Sequence, residues 1–119
     1  MDDKDYEYYL RRLELANLSN CILISKEKDI YVLKNISYDY PYDYYKIPAF
    51  ISKLEDGCCS GIRLKTVYIP SSVNDIGQNC FANCNELECI NIHSSSLKYI
   101  DRLKNANKAK IICEGVVYE

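Results

Sequence analysis

Leu64-Lys-Thr-Val67-Tyr-Ile69 is followed twenty-three residues later by Leu87-Glu-Cys-Ile90-Asn-Ile92, two copies of one hexad inside LKTVYIPSSVNDIGQNCFANCNELECINI, residues 64–92. Apolar residues recur at offsets 0, 3 and 5, and a fixed set of buried-looking positions lies between the copies. A unit of roughly 20–29 residues cannot bury its own apolar face and must stack on its neighbours. The spacing therefore predicts a solenoid. Such folds mostly present surfaces to partners, and their repeats seldom carry catalytic groups.

The pattern extends in both directions. Tyr42-Asp-Tyr-Tyr45-Lys-Ile47 fits the same offsets, which sets Tyr42, Tyr45 and Ile47 inward and Tyr44 and Lys46 outward. Ile47-Pro48, Ile69-Pro70 and Ile92-His93 end three strands, and each is followed by a second apolar pair: Ile51 and Leu54, Val73 and Ile76, Leu97 and Ile100. A fourth strand is expected over Lys108–Cys113, with Ala106, Ala109 and Ile111 inward, before Gly115 and a short tail close the chain. Four strands exceed the minimum of about three needed for a shared core. Pro70 ends a strand by fixing φ, and Gly77 is read as a bend that other residues would strain. Phe81 fills the wide part of the coil, and Cys84 fits its narrow turn without demanding a strong hydrogen bond.

The central copy, IPSSVNDIGQNCFANCNELECINI, resembles the BspA-type leucine-rich repeat, whose pattern runs roughly IP-x-x-V-x-x-IG-x-x-x-F-x-x-C-x-x-L-x-x-I-x-I. The matching residues are Ile69, Pro70, Val73, Ile76, Gly77, Phe81, Cys84, Leu87, Ile90 and Ile92. The resemblance extends over about residues 42–113. The preceding copy offers Cys58 or Cys59 for the aromatic and Gly61 for the cysteine, and the following copy has His93 for the proline and no aromatic. The resemblance implies an α+β solenoid, a short leucine-rich-repeat stack with a small parallel sheet and about three to four coils. It also implies a non-enzymatic module that binds a protein or peptide.

Residues 1–40 read as a separate N-terminal unit and residues 41–119 as the repeat. A helix is expected from about Asp3 to Leu18, where Tyr6, Tyr9, Leu10, Leu13 and Asn17 recur at 3–4 spacing. Asp2 and Asp3 complement its N-terminal dipole, and Asn17, Ser19 and Asn20 supply its end. Cys21–Ser25 and Ile30–Leu33 are β-prone runs around the charged loop Lys26–Asp29, which predicts a hairpin. Helix and hairpin together are read as a cap on the open end of the stack, with Lys4, Glu7, Arg11, Arg12 and Glu14 as its polar face.

Composition narrows the function classes. Fifteen basic against seventeen acidic side chains give a net charge of −2, which argues against specific nucleic-acid binding. No apolar run spans a bilayer. The start MDDKDYEYYLRRLEL is the opposite of a secretory signal, which predicts a cytoplasmic location. Seven cysteines without a signal favour reduced thiols acting as small buried hydrophobes over disulfides or a metal site, since no C-x2-C knuckle occurs. No GxSxG, Walker A, HExxH or GxGxxG is present, and a pairing of Cys89 or Cys113 with His93 is the sole catalytic arithmetic. No enzyme activity and no cofactor are expected.

The candidate surface lies between the apolar positions. Outward residues fall in two rows, Lys46, Tyr68, Asn91 and Lys110, and Tyr44, Thr66, Cys89 and Lys108. Beside them runs YDYPYDYY, residues 38–45, in which five of eight residues are tyrosine. Tyrosine offers large contact area at low entropic cost. The partner-binding candidates are Tyr40, Tyr44, Lys46, Thr66, Tyr68 and Asn91. A solvated sheet face would suit the polar members equally, and a convex loop competes for the role. Two functions fit: a protein-interaction module, or a dedicated inhibitor of immunity or phage counter-defence type that occludes one macromolecular target. Homo-oligomers through the ends of the stack are compatible with both.

Overall fold

The computed structural model describes residues 3–118. It begins with helix α1, Asp3–Leu15, three residues shorter than the apolar spacing suggests. Asn17 ends it by taking a left-handed φ of 58°. Leu18 N then donates to Leu13 O at 2.8 Å and Asn17 N to Glu14 O at 3.1 Å, a Schellman closure that satisfies the last carbonyls. Asp3 stands in the first turn as expected, while Asp2 lies outside the described residues.

The expected hairpin follows as β1, Ile22–Glu27, and β2, Ile30–Ile36, joined at Lys28 and Asp29 with Lys28 at a φ of 58°. Its strand β2 then pairs in parallel with β4, Ile51–Leu54, and β4 pairs with β6, Asp75–Ile76. The order β1-β2-β4-β6 makes one four-stranded sheet. The apolar pairs Ile51/Leu54 and Val73/Ile76 are thus in or beside strands of this second sheet, and all four are buried.

The hexads form the other sheet. β3, Tyr44–Lys46, β5, Thr66–Tyr68, and β7, Cys89–Ile92, pair in parallel, followed by β8, Lys110–Cys113, and an antiparallel β9, Val116–Tyr118. Along the chain, β3 to β7 alternate between the two sheets. The chain crosses from one sheet to the other and back in each coil, so apolar side chains from both meet in a single core.

Several expectations change. Lys110 aligns with Cys89 and Ile112 with Asn91, so the last strand sits two residues from its expected register and Lys108 precedes it. The cause is the intervening segment, a 3-10 turn at Ser94–Tyr99 and a short helix α2, Ile100–Lys104, which breaks the repeat's phase. Leu97 and Ile100 sit in this helical segment, half-buried. Ala106, expected inward, is exposed at a left-handed φ of 57°. Ala109 and Ile111 are inward as the spacing requires.

Tyr42 points outward, unlike its buried counterparts Leu64 and Leu87, and stacks with Tyr40 and Tyr44 at 5.7 and 6.0 Å while Tyr40 packs against the core. Tyr45 and Ile47 are buried as expected. The tail after Gly115 forms β9.

The turn positions repeat as well. Gly57 and Asn79 both take left-handed φ, 65° and 58°, and so do Gly61 and Asn83, 74° and 61°. Cys59 N donates to Cys80 O and Gly61 N to Ala82 O, each at 2.9 Å, which sets Cys59 beside Phe81 and Ile62 beside Cys84. Cys59 thus holds the aromatic's place, and Ile62, not Gly61, holds the cysteine's. Gly77 has no left-handed φ; its reason is close approach. A Cβ there would lie 2.6 Å from Asp56 N and 2.9 Å from its Cα.

Candidate functional site

The outward face of the five-stranded sheet brings the expected residues together. Tyr44 lies beside Thr66 and Thr66 beside Cys89, while Lys46 lies beside Tyr68 and Tyr68 beside Asn91. The second row then continues into Ile112 and Val117, and the first into Lys110. Lys46 Nζ sits 5.6 Å from the centroid of the Tyr68 ring, which spreads the charge over an aromatic face. Asn91 Nδ2 donates toward Cys89 Sγ and Cys89 Sγ toward Thr66 Oγ1, both at 3.8 Å. Tyr44 is 50% exposed and Tyr68 41%, so about half of each ring can still be covered.

Tyr40 belongs to a neighbouring tyrosine cluster. Its ring meets Tyr42 at 5.7 Å and Tyr45 at 5.6 Å, both edge-on, and its hydroxyl donates to Tyr44 O at 2.9 Å. Under it, the Tyr45 and Tyr9 hydroxyls share a hydrogen bond of 2.7 Å that ties the tract to α1. Burial pushes the phenols of Tyr40, Tyr45 and Tyr9 up. They therefore remain neutral hydrogen-bonding groups through the physiological range.

On the far side of the tract the Arg63 guanidinium stacks 4.7 Å from the Tyr38 centroid. Arg63 and Lys65 line a shallow depression of about 300 Å³ with Tyr42, Asp43 and Glu86. The outward setting of Tyr44 and Lys46 was legible, since even-numbered residues of β3 face out. The Arg63 stack was not, because it joins residues from different coils.

Four of the cysteines, Cys58, Cys80, Cys84 and Cys113, hold thiols unsuited to nucleophilic attack. All seven are unbridged, and Cys58, Cys59, Cys80, Cys84 and Cys113 are buried. A hydrogen bond with Cys59 raises the Cys58 thiol, one with Cys58 raises Cys80, and burial raises Cys84 and Cys113. A thiol held above its ordinary range carries little thiolate and reacts poorly. Cys89, the other sulfur considered with His93, engages Thr66 and Asn91. Among the described residues no group of three or more His, Cys, Asp or Glu side chains converges on a metal position. No helix among them is long and apolar enough to cross a membrane.

The family model of BspA-type leucine-rich repeat regions, of six copies, matches residues 32–111, about two thirds of the sequence. The chain belongs to the BspA-type leucine-rich repeat family. The matched region starts within β2 and ends within β8, so it takes in both parallel ladders. No curated protein and no solved structure matches the chain. Leucine-rich repeats are in general non-enzymatic folds that mediate protein–protein interaction.

Proposed function

We propose that this leucine-rich repeat protein is a binding module that takes a protein or peptide on the outward face of its five-stranded sheet and on the adjoining Tyr38–Tyr45 tract. The observation that carries the reading is the aromatic band. Tyr42 and Tyr44 are stacked on one edge, and Tyr68 lies on the next strand under the Lys46 ammonium, all half-exposed on hydrogen-bonded strands or beside them. Rigid, half-covered tyrosines lose little entropy on burial, and a Lys–Tyr pair can meet either apolar or acidic groups. Thr66, Asn91 and Tyr40 add adaptable hydrogen bonding around these anchors. The helix and hairpin serve as the cap that closes the first coil.

Capture of a partner followed by calorimetry on Tyr44→Ala and Tyr68→Ala tests this. Each substitution removes an aromatic anchor and is expected to cost about 2 kcal/mol of binding, roughly 30-fold in Kd, with the melting temperature nearly unchanged. A partner bound equally well by both variants rules this face out. One tight partner at equal stoichiometry would favour the dedicated inhibitor, and several weak ones the general module.

A further inference from the structure

We infer that the open edge of β3 is a docking groove for an extended acidic peptide, which would add to the five-stranded sheet between β3 and α1. The inference rests on the binding-module reading and names the ligand chemistry that one part of that surface would take.

Among the described residues strand β3 is an edge strand, paired only with β5. Thr66 N donates to Asp43 O at 3.1 Å and Ile47 N to Tyr68 O at 3.0 Å, so Asp43, Tyr45 and Ile47 direct their backbone groups at β5. In a parallel ladder the alternate residues face the other way. Tyr44 and Lys46 therefore turn their N–H and C=O groups to the open side. A side chain, the Tyr40 hydroxyl, meets the Tyr44 carbonyl there, with no strand beyond it. Such an edge is a template for a further strand.

Helix α1 leaves room for one. It holds to this end through long side chains such as Tyr9, whose hydroxyl reaches Tyr45, and between helix and strand lies a groove of about 310 Å³. Arg12 on the helix and Lys46 on the strand both line it, together with Tyr9, Tyr42 and Tyr44. No carboxylate lines it among the described residues, and neither cation forms an ion pair there. Arg12 stands over the ring face of Tyr8 and Lys46 over that of Tyr68, at 5.8 and 5.6 Å. In a chain whose net charge is −2, this is a local basic and aromatic concavity. Charge complementarity selects carboxylates, and the exposed edge selects an extended backbone.

The test uses two fluorescein-labelled, end-blocked heptapeptides, one alternating Val and Glu, the other Val and Lys, titrated by anisotropy into the full chain. The Val/Glu peptide is expected to bind, more weakly as salt rises, and the Val/Lys peptide at least about tenfold worse. Arg12→Glu and Lys46→Gln are expected to weaken the acidic peptide through charge. Lys46→Pro removes in addition an N–H that β5 does not use, a position where an edge strand tolerates proline, and is expected to cost a further roughly tenfold relative to Lys46→Gln. Amide exchange at Tyr44 and Lys46 should slow when the peptide is bound. Equal binding of both peptides, no binding of either, or unchanged exchange at these two amides overturns the groove. If Lys46→Pro fails to fold, Arg12→Glu and the exchange measurement still decide. A captured partner that is lost on Tyr68→Ala while the acidic peptide fails to bind overturns the groove alone and leaves the binding module standing.

Discussion

The two ends of the molecule are finished by different means. At the end where the chain starts, the four-stranded sheet is completed by strands, since β2 lies on β4 and β1 folds back on β2. The five-stranded sheet at that end stops at β3, with Tyr40 on its edge and α1 standing beside it. At the opposite end the roles reverse. The five-stranded sheet gains the antiparallel β9, while the four-stranded sheet stops at the two-residue β6. There the backbone is met by side chains. Arg102 Nη1 donates to Ile76 O at 2.7 Å, Tyr99 OH to Asn74 O at 3.2 Å, and Asn107 Nδ2 to Phe81 O at 3.3 Å. One stopped edge is plugged by two polar side chains, Arg102 and Tyr99. The other is met by a single phenol and opens on a groove. An edge left unpaired is a site of association unless something blunts it, so the less plugged edge is where a partner is expected.

Four measurements would break or sharpen that contrast. The largest effect belongs to the coil between the ends. Phe81 is fully buried, and Phe81→Ala is expected to cost about 3–5 kcal/mol. Denaturation followed by tyrosine fluorescence, dominated by the tyrosine-rich first end, and by circular dichroism should show coincident transitions. Separate transitions would mean that the ends fold independently and their comparison is between two units.

Next is Arg102→Met, which removes a charge-assisted bond to the Ile76 carbonyl and should cost about 1.5–3 kcal/mol in chemical denaturation. Smaller still, Tyr40→Phe releases the Tyr44 carbonyl on an exposed edge and should cost roughly 0.5–1.5 kcal/mol. Equal costs for the two substitutions would erase the difference between the ends.

The smallest effect concerns how α1 is tethered. Its Asp3 accepts hydrogen bonds from the Tyr31 hydroxyl and from Lys26 Nζ, the latter at 3.0 Å. These hold the Asp3 carboxyl below the usual carboxylate range, the Tyr31 bond first, and the same bond pushes the Tyr31 phenol up to about 12. A depressed carboxyl contributes stability that is present above its unfolded value and lost as pH falls through its folded one. Melting curves from pH 6 down to 3 should therefore show the wild type losing more than Asp3→Asn does. Parallel pH profiles would show that Asp3 does not hold the helix.

Much of this architecture was legible because burial imposes a parity on strands. Offsets 0, 3 and 5 separate inward from outward residues in each hexad, and Val67, Ile69, Ile90 and Ile92 are buried as that parity requires. The same rule explains why the error at β8 was mild. The segment Ser94–Lys104 moved the register by two, an even number, so Ile111 stayed inward and Lys110 outward while their neighbours changed. Parity cannot count residues through an irregular segment.

It also failed at Tyr42, whose counterparts Leu64 and Leu87 are buried, because at this end Tyr40 packs against the core and Tyr42 stacks outside on Tyr40 and Tyr44. Nor did the pattern reveal that Gly77 answers to the Asp56 backbone, because that contact joins separate coils. The candidate surface residues were readable as outward. Which of them border an open edge was not, since that depends on what the helix leaves uncovered.

The paired left-handed positions carry one more consequence. Gly57 with Asn79, and Gly61 with Asn83, bracket the same turn in successive coils. A segment that begins and ends at equivalent backbone states is a cassette, whose two cut surfaces match each other as well as their present neighbours. Tandem duplication of residues 57–78 would extend both parallel ladders by one strand each, separating the two ends by about 4.8 Å without altering either. The length of the tyrosine-lined face is thus adjustable by whole coils. Reach along a partner could change through copy number alone, while the chemistry at each end stays as it is.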